Sequence, residues 1–316
     1  MALDLLRENC SVSMPNTGKP DCVNAVGVLK GVIFCQTLKS YPSDTTLATL
    51  IASLKADVLA TNPKDRLYPL FDFLELTADN TQERAKIQKG LGGVSFGEAK
   101  SRDFRYELAN MGAKYFAKIS QLSDAGKLYF FGIDAQDNLV CAKNAADELI
   151  PIRLQAQCIQ EPKFNTDTTV NFYLDLITSD PYALGRNVVL VDCSSAPLEN
   201  ELSGLYDVTL AAEGGSLKID VSGIIDVNGT DFFDLYQTEA AVAGAFKVVN
   251  GSGAVVTPSA VVAVAGEPVL IRLTVPAGAG YSVSLVDPTA LSVLNIGSAA
   301  EGGYESNTVT GITVTA

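Results

Sequence analysis

Short apolar runs that alternate with polar residues and end at Asx, Gly and Pro turns predict a mainly β protein. Two stretches at helical spacing add one or two packed helices, and a shift in composition near residue 197 divides the chain. The expected fold is therefore a β-sandwich or barrel with those helices, followed by a C-terminal all-β, Ig-like sandwich. At 316 residues there is length for two domains, and 47% hydrophobic against 19% charged residues supplies a core for each.

Taken in order, residues 1–27 carry Pro15, Gly18 and Pro20 and predict an extended arm. A β domain is expected over 28–197, beginning with the β-prone VLKGVIFCQTL at 28–38. A helix is expected near 44–60: Ser43 can cap it, Leu47, Leu50, Ile51, Leu54, Val58 and Leu59 repeat at steps of three and four, and Asn62-Pro63 stops it. LYPLFDFLEL, 67–76, has strand composition. The polar, Gly-rich segment TADNTQERAKIQKGLGGVSFGEAKSRD follows, a length that marks a functional loop or hairpin. Phe104, Leu108, Met111, Tyr115, Ile119 and Leu122 keep helical spacing, although Phe104, Tyr106 and Leu108 also alternate as in a strand, so a short strand leading into a helix near 107–122 is expected. Strands near 127–134, 138–143, 150–160 and 169–178 complete the domain.

Beyond SSAPLENELSG, cysteine vanishes and Gly, Ala and Val rise. LYDVTLAA, SLKIDVSGI, AAVAGAFKVVN, PSAVVAVAG, PVLIRLTVP, YSVSLVD, LSVLNI and TVTGITVT predict an antiparallel sandwich over 198–316. The Cys, Trp, Cys framework of antibody domains is missing, so the likeness is one of architecture alone.

Composition narrows the chemistry. The chain has no histidine and no tryptophan, which removes Ser-His-Asp and Cys-His nucleophiles, histidine-based zinc sites and the commonest acid-base group near neutral pH. An enzyme built on Asp and Glu alone remains as a minor alternative, and no enzyme activity, cofactor or metal is expected. GLGGVSFG lacks the Lys-Ser/Thr ending of a phosphate loop and the third glycine of GxGxxG, so it does not predict nucleotide binding. The six cysteines at 10, 22, 35, 141, 158 and 193 show neither CxxC nor metal-ligand spacing and are expected to be reduced core residues. No run is long and apolar enough for a membrane helix, and Asp4, Arg7 and Glu8 interrupt any signal core, so a soluble product of the cytosol is expected. NCS, NGT and NGS at 9, 228 and 250 are then turns.

Net charge is −13, with twenty basic and twenty-three acidic residues over 1–197 but three and thirteen over 198–316. The second half therefore cannot hold nucleic acid by neutralising phosphates. It suits a self-repelling outer face, or a wall past which a polyanion slides. In KLYFFGIDAQDNLVC, 127–141, Asp134, Asp137 and Asn138 have the character of turn formers; the ligands at the third and fifth positions, the glycine and the distal glutamate of a calcium loop are missing.

FDFLELTADNTQE, the polar loop, DFRYELANMGAKYFAKI, KLYFFGIDAQDNLV and KFNTDTTVNFYLDLITSD, in this order over 67–192, resemble virion structural proteins of tailed bacteriophages, especially the tail-tube group. The resemblance covers about 40% of the chain and departs from the group in the long segment before residue 67. It implies a subunit that pairs edge strands with copies of itself, as in hexameric rings, with other virion proteins as neighbours and DNA passing through without specific binding. The arm at 1–27 and an assembly loop at 78–101, with Gln82, Lys86, Lys89, Gly90, Gly92, Gly93, Phe96 and Gly97, would then bridge subunits. Capsid decoration, head-fibre or connector roles, and a host-surface glycan-binding module, are the alternatives.

Overall fold

In β1 (Leu29–Cys35) five consecutive residues are buried, Val32 and Phe34 toward one core and Ile33 and Cys35 toward the opposite side, as expected of a strand covered on both faces. This computed structural model describes residues 3, 28–71, 73–80, 86–88, 94–96, 102–108, 121, 128–164, 170–178, 188–226, 229–266 and 268–316. It is mainly β, with few helices and curled sheets, and falls into two compact units: Met1–Leu54 with Lys64–Glu201, and Lys55–Pro63 with Leu202–Ala316. Apart from Leu3, whose N–H donates to the Thr45 carbonyl at 2.9 Å, the N-terminal arm lies outside the described residues.

The first unit continues with β2 (Tyr41–Pro42), β3 (Leu67–Leu70), β4 (Phe73–Asn80), β5 (Lys86–Gln88), β6 (Val94–Phe96), β7 (Arg102–Leu108), β8 (Tyr129–Asp134), β9 (Asn138–Lys143), β10 (Glu148–Ile150), β11 (Ile152–Phe164), β12 (Val170–Thr178) and β13 (Val188–Asp192). β8 lies at the centre: β1 pairs along it, while β9 takes Gly132 and Ile133 and β11 takes Tyr129 and Phe130. The sheet forks there. One branch runs through β9 to β13, β10 and β2; the other follows β11 into the order β11-β12-β7-β4. Leu29, Val32, Phe34, Phe130, Val140, Ile152, Leu154, Leu174, Leu176, Val188 and Leu190 meet in one core that draws on both branches. Each fully buried apolar side chain contributes about 1.5–3 kcal/mol.

Several elements differ from expectation. The helix is α1 (Leu47–Val58), and its cap is Thr46, whose Oγ accepts the Thr49 N–H at 3.2 Å; Ser43 instead donates to Asp147 at 3.0 Å. Leu50, Ile51, Leu54, Val58 and Leu59 are all buried. LYPLFDFLEL is two strands, β3 on β1 and β4 on β7, with a break between. The long polar segment is partly regular, since TADN extends β4 and β5 pairs with β6 as a hairpin. Glu107 and Leu108 belong to β7, where pairing with β12 overrides their helical spacing; Gln121 is helical, and the rest of the expected 107–122 helix lies outside the described residues.

The second unit comprises β14 (Leu205–Gly215), β15 (Lys218–Ile225), β16 (Thr230–Asp231), β17 (Phe246–Val249), β18 (Ala260–Val264), β19 (Leu270–Thr274), β20 (Gly278–Leu285), β21 (Gly303–Ser306) and β22 (Val309–Val314). Sheet β18-β19-β15-β14-β21, with β16 attached to β15, shares a single core with sheet β17-β20-β22: Val208, Val221, Ile271 and Leu273 from the first, and Val248, Val283 and Ile312 from the second. That is a β-sandwich. It is not wholly antiparallel, because β14 and β21 run parallel, from Leu205 opposite Gly303 to Val208 opposite Ser306.

The first half of the expected strand LSVLNI is instead the end of the helix Pro288–Val293, where Asp287 accepts the Ala290 N–H and Pro288 occupies the first turn; Leu294 is its C-cap. AAVAGAFKVVN is a strand only over β17. Asp231 caps a further helix, Phe232–Leu235, and seats Phe232 and Phe233 wholly inside the core.

Two glycines test the packing of this unit. Gly302 sits at φ +105°, and a Cβ there would meet the Tyr206 ring at 2.2 Å, whereas Gly311, at φ +78°, faces open space. Gly302→Ala is expected to cost about 2–4 kcal/mol, strain plus overpacking, and Gly311→Ala about 1 kcal/mol. Urea denaturation of the two variants checks the order.

Candidate functional site

Asp134 ends β8 with its side chain fully buried. Its Oδ1 accepts the N–H groups of Gln136 and Asn138, both at 2.9 Å, and its Oδ2 accepts the Asn138 side-chain amide at 3.0 Å. Asp137 takes the left-handed conformation that the turn requires, at φ +64°. Its carboxylate accepts from Lys30 on β1, and Lys30 also reaches Glu199 at 2.8 Å. Burial works to lower the Lys30 pKa, but the hydrogen bonds to Asp137 and Glu199 outweigh it and hold the ammonium above its ordinary value. Protein donors thus occupy Asp134 and Asp137, and their work is to close the β8–β9 connection. Among the described residues, no group of three or more Cys, Asp or Glu is placed to hold a metal ion.

The described thiols are equally committed. Cys35, Cys141 and Cys193 are all buried. Burial pushes Cys141 far up, and pushes Cys193 up to about 12. A thiol so protonated is a poor nucleophile near neutral pH.

In the antiparallel order β11-β12-β7-β4, β4 pairs with β7 and, among the described residues, with no other strand. Beyond Arg153, β11 pairs, among the described residues, with β12 alone. This four-stranded sheet is two-sided: Leu174 and Leu176 of β12 enter the core, while Asp175, between them, meets Arg105 of β7 through two hydrogen bonds of 2.6 and 2.9 Å. The hairpin β5–β6 connects β4 to β7, with Lys86 opposite Phe96. Gln82, Lys89, Gly90, Gly92, Gly93 and Gly97 lie outside the described residues.

In the second unit, Asp220 of β15 is held between Arg272 of β19, at 2.7 Å, and Lys218, at 2.9 Å. The Arg272 hydrogen bonds, with help from Lys218 and against partial burial, keep its carboxyl below the usual carboxylate range. The pair engages two of the three basic residues present in 202–316.

No family model matches the chain, and no curated protein matches it. Among the described residues, no helix is long and apolar enough to cross a membrane.

The Lys30–Asp137–Glu199 and Lys218–Asp220–Arg272 groups escaped the sequence reading, because Lys30 meets Asp137 and Arg272 meets Asp220 across 107 and 52 residues of sequence, only in the fold. Two outcomes are expected. Asp134→Ala strands two backbone N–H groups and one amide, lowering stability by about 2–4 kcal/mol in chemical denaturation. Asp220 has a depressed folded pKa, so its stabilisation is present above the unfolded value of about 3.9 and is lost as pH falls through the folded value. Asp220→Asn should therefore be less stable than the parent at pH 7 and converge toward it below about pH 3, as read by thermal midpoints across that range.

Proposed function

We propose that this chain is a structural virion subunit of a tailed phage, a tail-tube protein that builds rings or a tube by strand pairing. The observation that carries the reading is the sheet β11-β12-β7-β4 with its two end strands, β4 and β11, each lacking a second neighbour along most of its length among the described residues. All three internal pairings are antiparallel, so the end strands of this four-strand set run in opposite directions. Copies placed head to tail then continue the sheet, with β4 of one beside β11 of the next and antiparallel throughout. Such a heterologous contact closes into a ring when the rotation permits, and it removes the edges that would otherwise invite aggregation. The face bearing Arg105 and Asp175 would line the bore, opposite the core that holds Leu174 and Leu176. The sequence resemblance over 67–192 favours the same reading, and the acidity of 198–316 suits an outer domain that does not retain DNA.

Electron microscopy of concentrated protein should show rings or helical tubes, with each subunit giving four strands to one continuous sheet; a closed monomer or a capsid-bound trimer would sink the proposal. Deleting residues 82–98 should leave a folded monomer, by circular dichroism, that forms neither. Tubes that persist after the deletion would remove the hairpin from the model.

A further inference from the structure

β18 is an edge of a different kind. Among the described residues it pairs with β19 alone, from Ala260 opposite Thr274 to Val264 opposite Leu270. Natural edges of this sort are usually guarded by lysine, by inward charge or by a bulge. This one has no charge on it: residues 248–266, VVNGSGAVVTPSAVVAVAG, contain no Asp, Glu, Lys or Arg. Val262 is 55% exposed and, in the preceding loop, Val255 is 70% exposed, while Val261 and Ala263 pack inward. The opposite edge strand of the same sheet, β21, lies against the helix Pro288–Val293, and β17 of the second sheet takes an isolated bridge from Val255 to Val249.

The unit that carries β18 is acidic overall, with Arg272, opposite Val262, bound to Asp220. Residues 202–316 hold eleven acidic and three basic residues, and Asp220 already engages Lys218 and Arg272, which leaves Lys247. The helix Gln237–Ala240, which carries Glu239, lies against β18. A second copy of this unit would approach against its own sign of charge. A strand with apolar residues at alternate positions and Lys or Arg at its ends is drawn in by the field, and it satisfies the edge through main-chain hydrogen bonds.

We propose that β18 is a strand-addition site for an extended, basic-flanked apolar segment of another protein. Val262 supplies the apolar contact and the acidic unit supplies the attraction. The site is separate from the β4 and β11 edges, and its test does not depend on ring formation.

The test uses the full chain and two fluorescent peptides with the same alternating Val-Thr centre, one with paired lysines at each end and one with paired glutamates. Fluorescence anisotropy should show saturable binding of the lysine peptide, weakening as salt rises, and at least about tenfold weaker binding of the glutamate peptide. Val262→Lys should weaken the lysine peptide by about tenfold or more, with the far-ultraviolet spectrum and melting midpoint of the parent, while Val262→Glu should retain it. No binding of the lysine peptide, equal binding of both peptides, or binding indifferent to Val262→Lys would overturn the proposal. So would sedimentation velocity showing that β18 is consumed by self-association which Val262→Lys abolishes.

Discussion

Two branches of one sheet have to be joined without breaking the backbone ladder, and β11 does this for the first unit. Its opening residues, Ile152 and Arg153, pair with β8, and from Leu154 onward it pairs with β12. The change of partner coincides with a register shift between Leu154 and Ala156. A bulge of this kind bends a strand and strengthens its twist, so the bend in the fold is located where the pairing changes. Ile152 and Leu154 enter the core on this stretch, and Leu174 and Leu176 reach the same core from β12. The core, the fork at β8 and the two sparsely paired end strands all follow from that one continuous thirteen-residue strand.

The strands most visible in the sequence are those whose burial alternates or is continuous, as in YFFGID, LKGVIFC and KIDVSGII, because period-two burial needs no knowledge of the partner. VVLVD was no less apolar than these and is followed by the Asp192-Ser194 turn, yet it went unread; it takes its place as the outer neighbour of β9. GYES is the harder case. A glycine and a glutamate in four residues give little strand signal, and its stability comes from parallel pairing with a strand about a hundred residues earlier. LSVLNI was misread by pattern although Asp287-Pro288, a cap followed by a first-turn proline, stood immediately before it. DFFDL carried the same kind of signal in Asp231.

Of the candidate site, the turn character of DAQDN was legible because Asx side chains act on their own backbone. Its ion partners were not, since Lys30 lies 107 residues from Asp137. The same limit applies to the edges. Which strand ends a sheet is a property of topology, and no local pattern in FLELTADN states that β4 pairs, among the described residues, on one side only. The strongest sequence statement about function was an absence of residue types, since a chain without histidine lacks the commonest acid-base group near neutral pH.

The parallel pairing of β14 with β21, together with the parallel bridge of Ser216 to Thr315, sets the first strand of the sandwich beside segments near the end of the chain and in the same direction. Tension applied across the two ends of this unit would load the β14–β21 hydrogen bonds together, sideways, instead of peeling them one after another. Shear geometry of this sort resists extension far better than a zipper does. The second unit is thereby suited to keep its shape under pulling force, a mechanical property written into strand direction and not into any single residue.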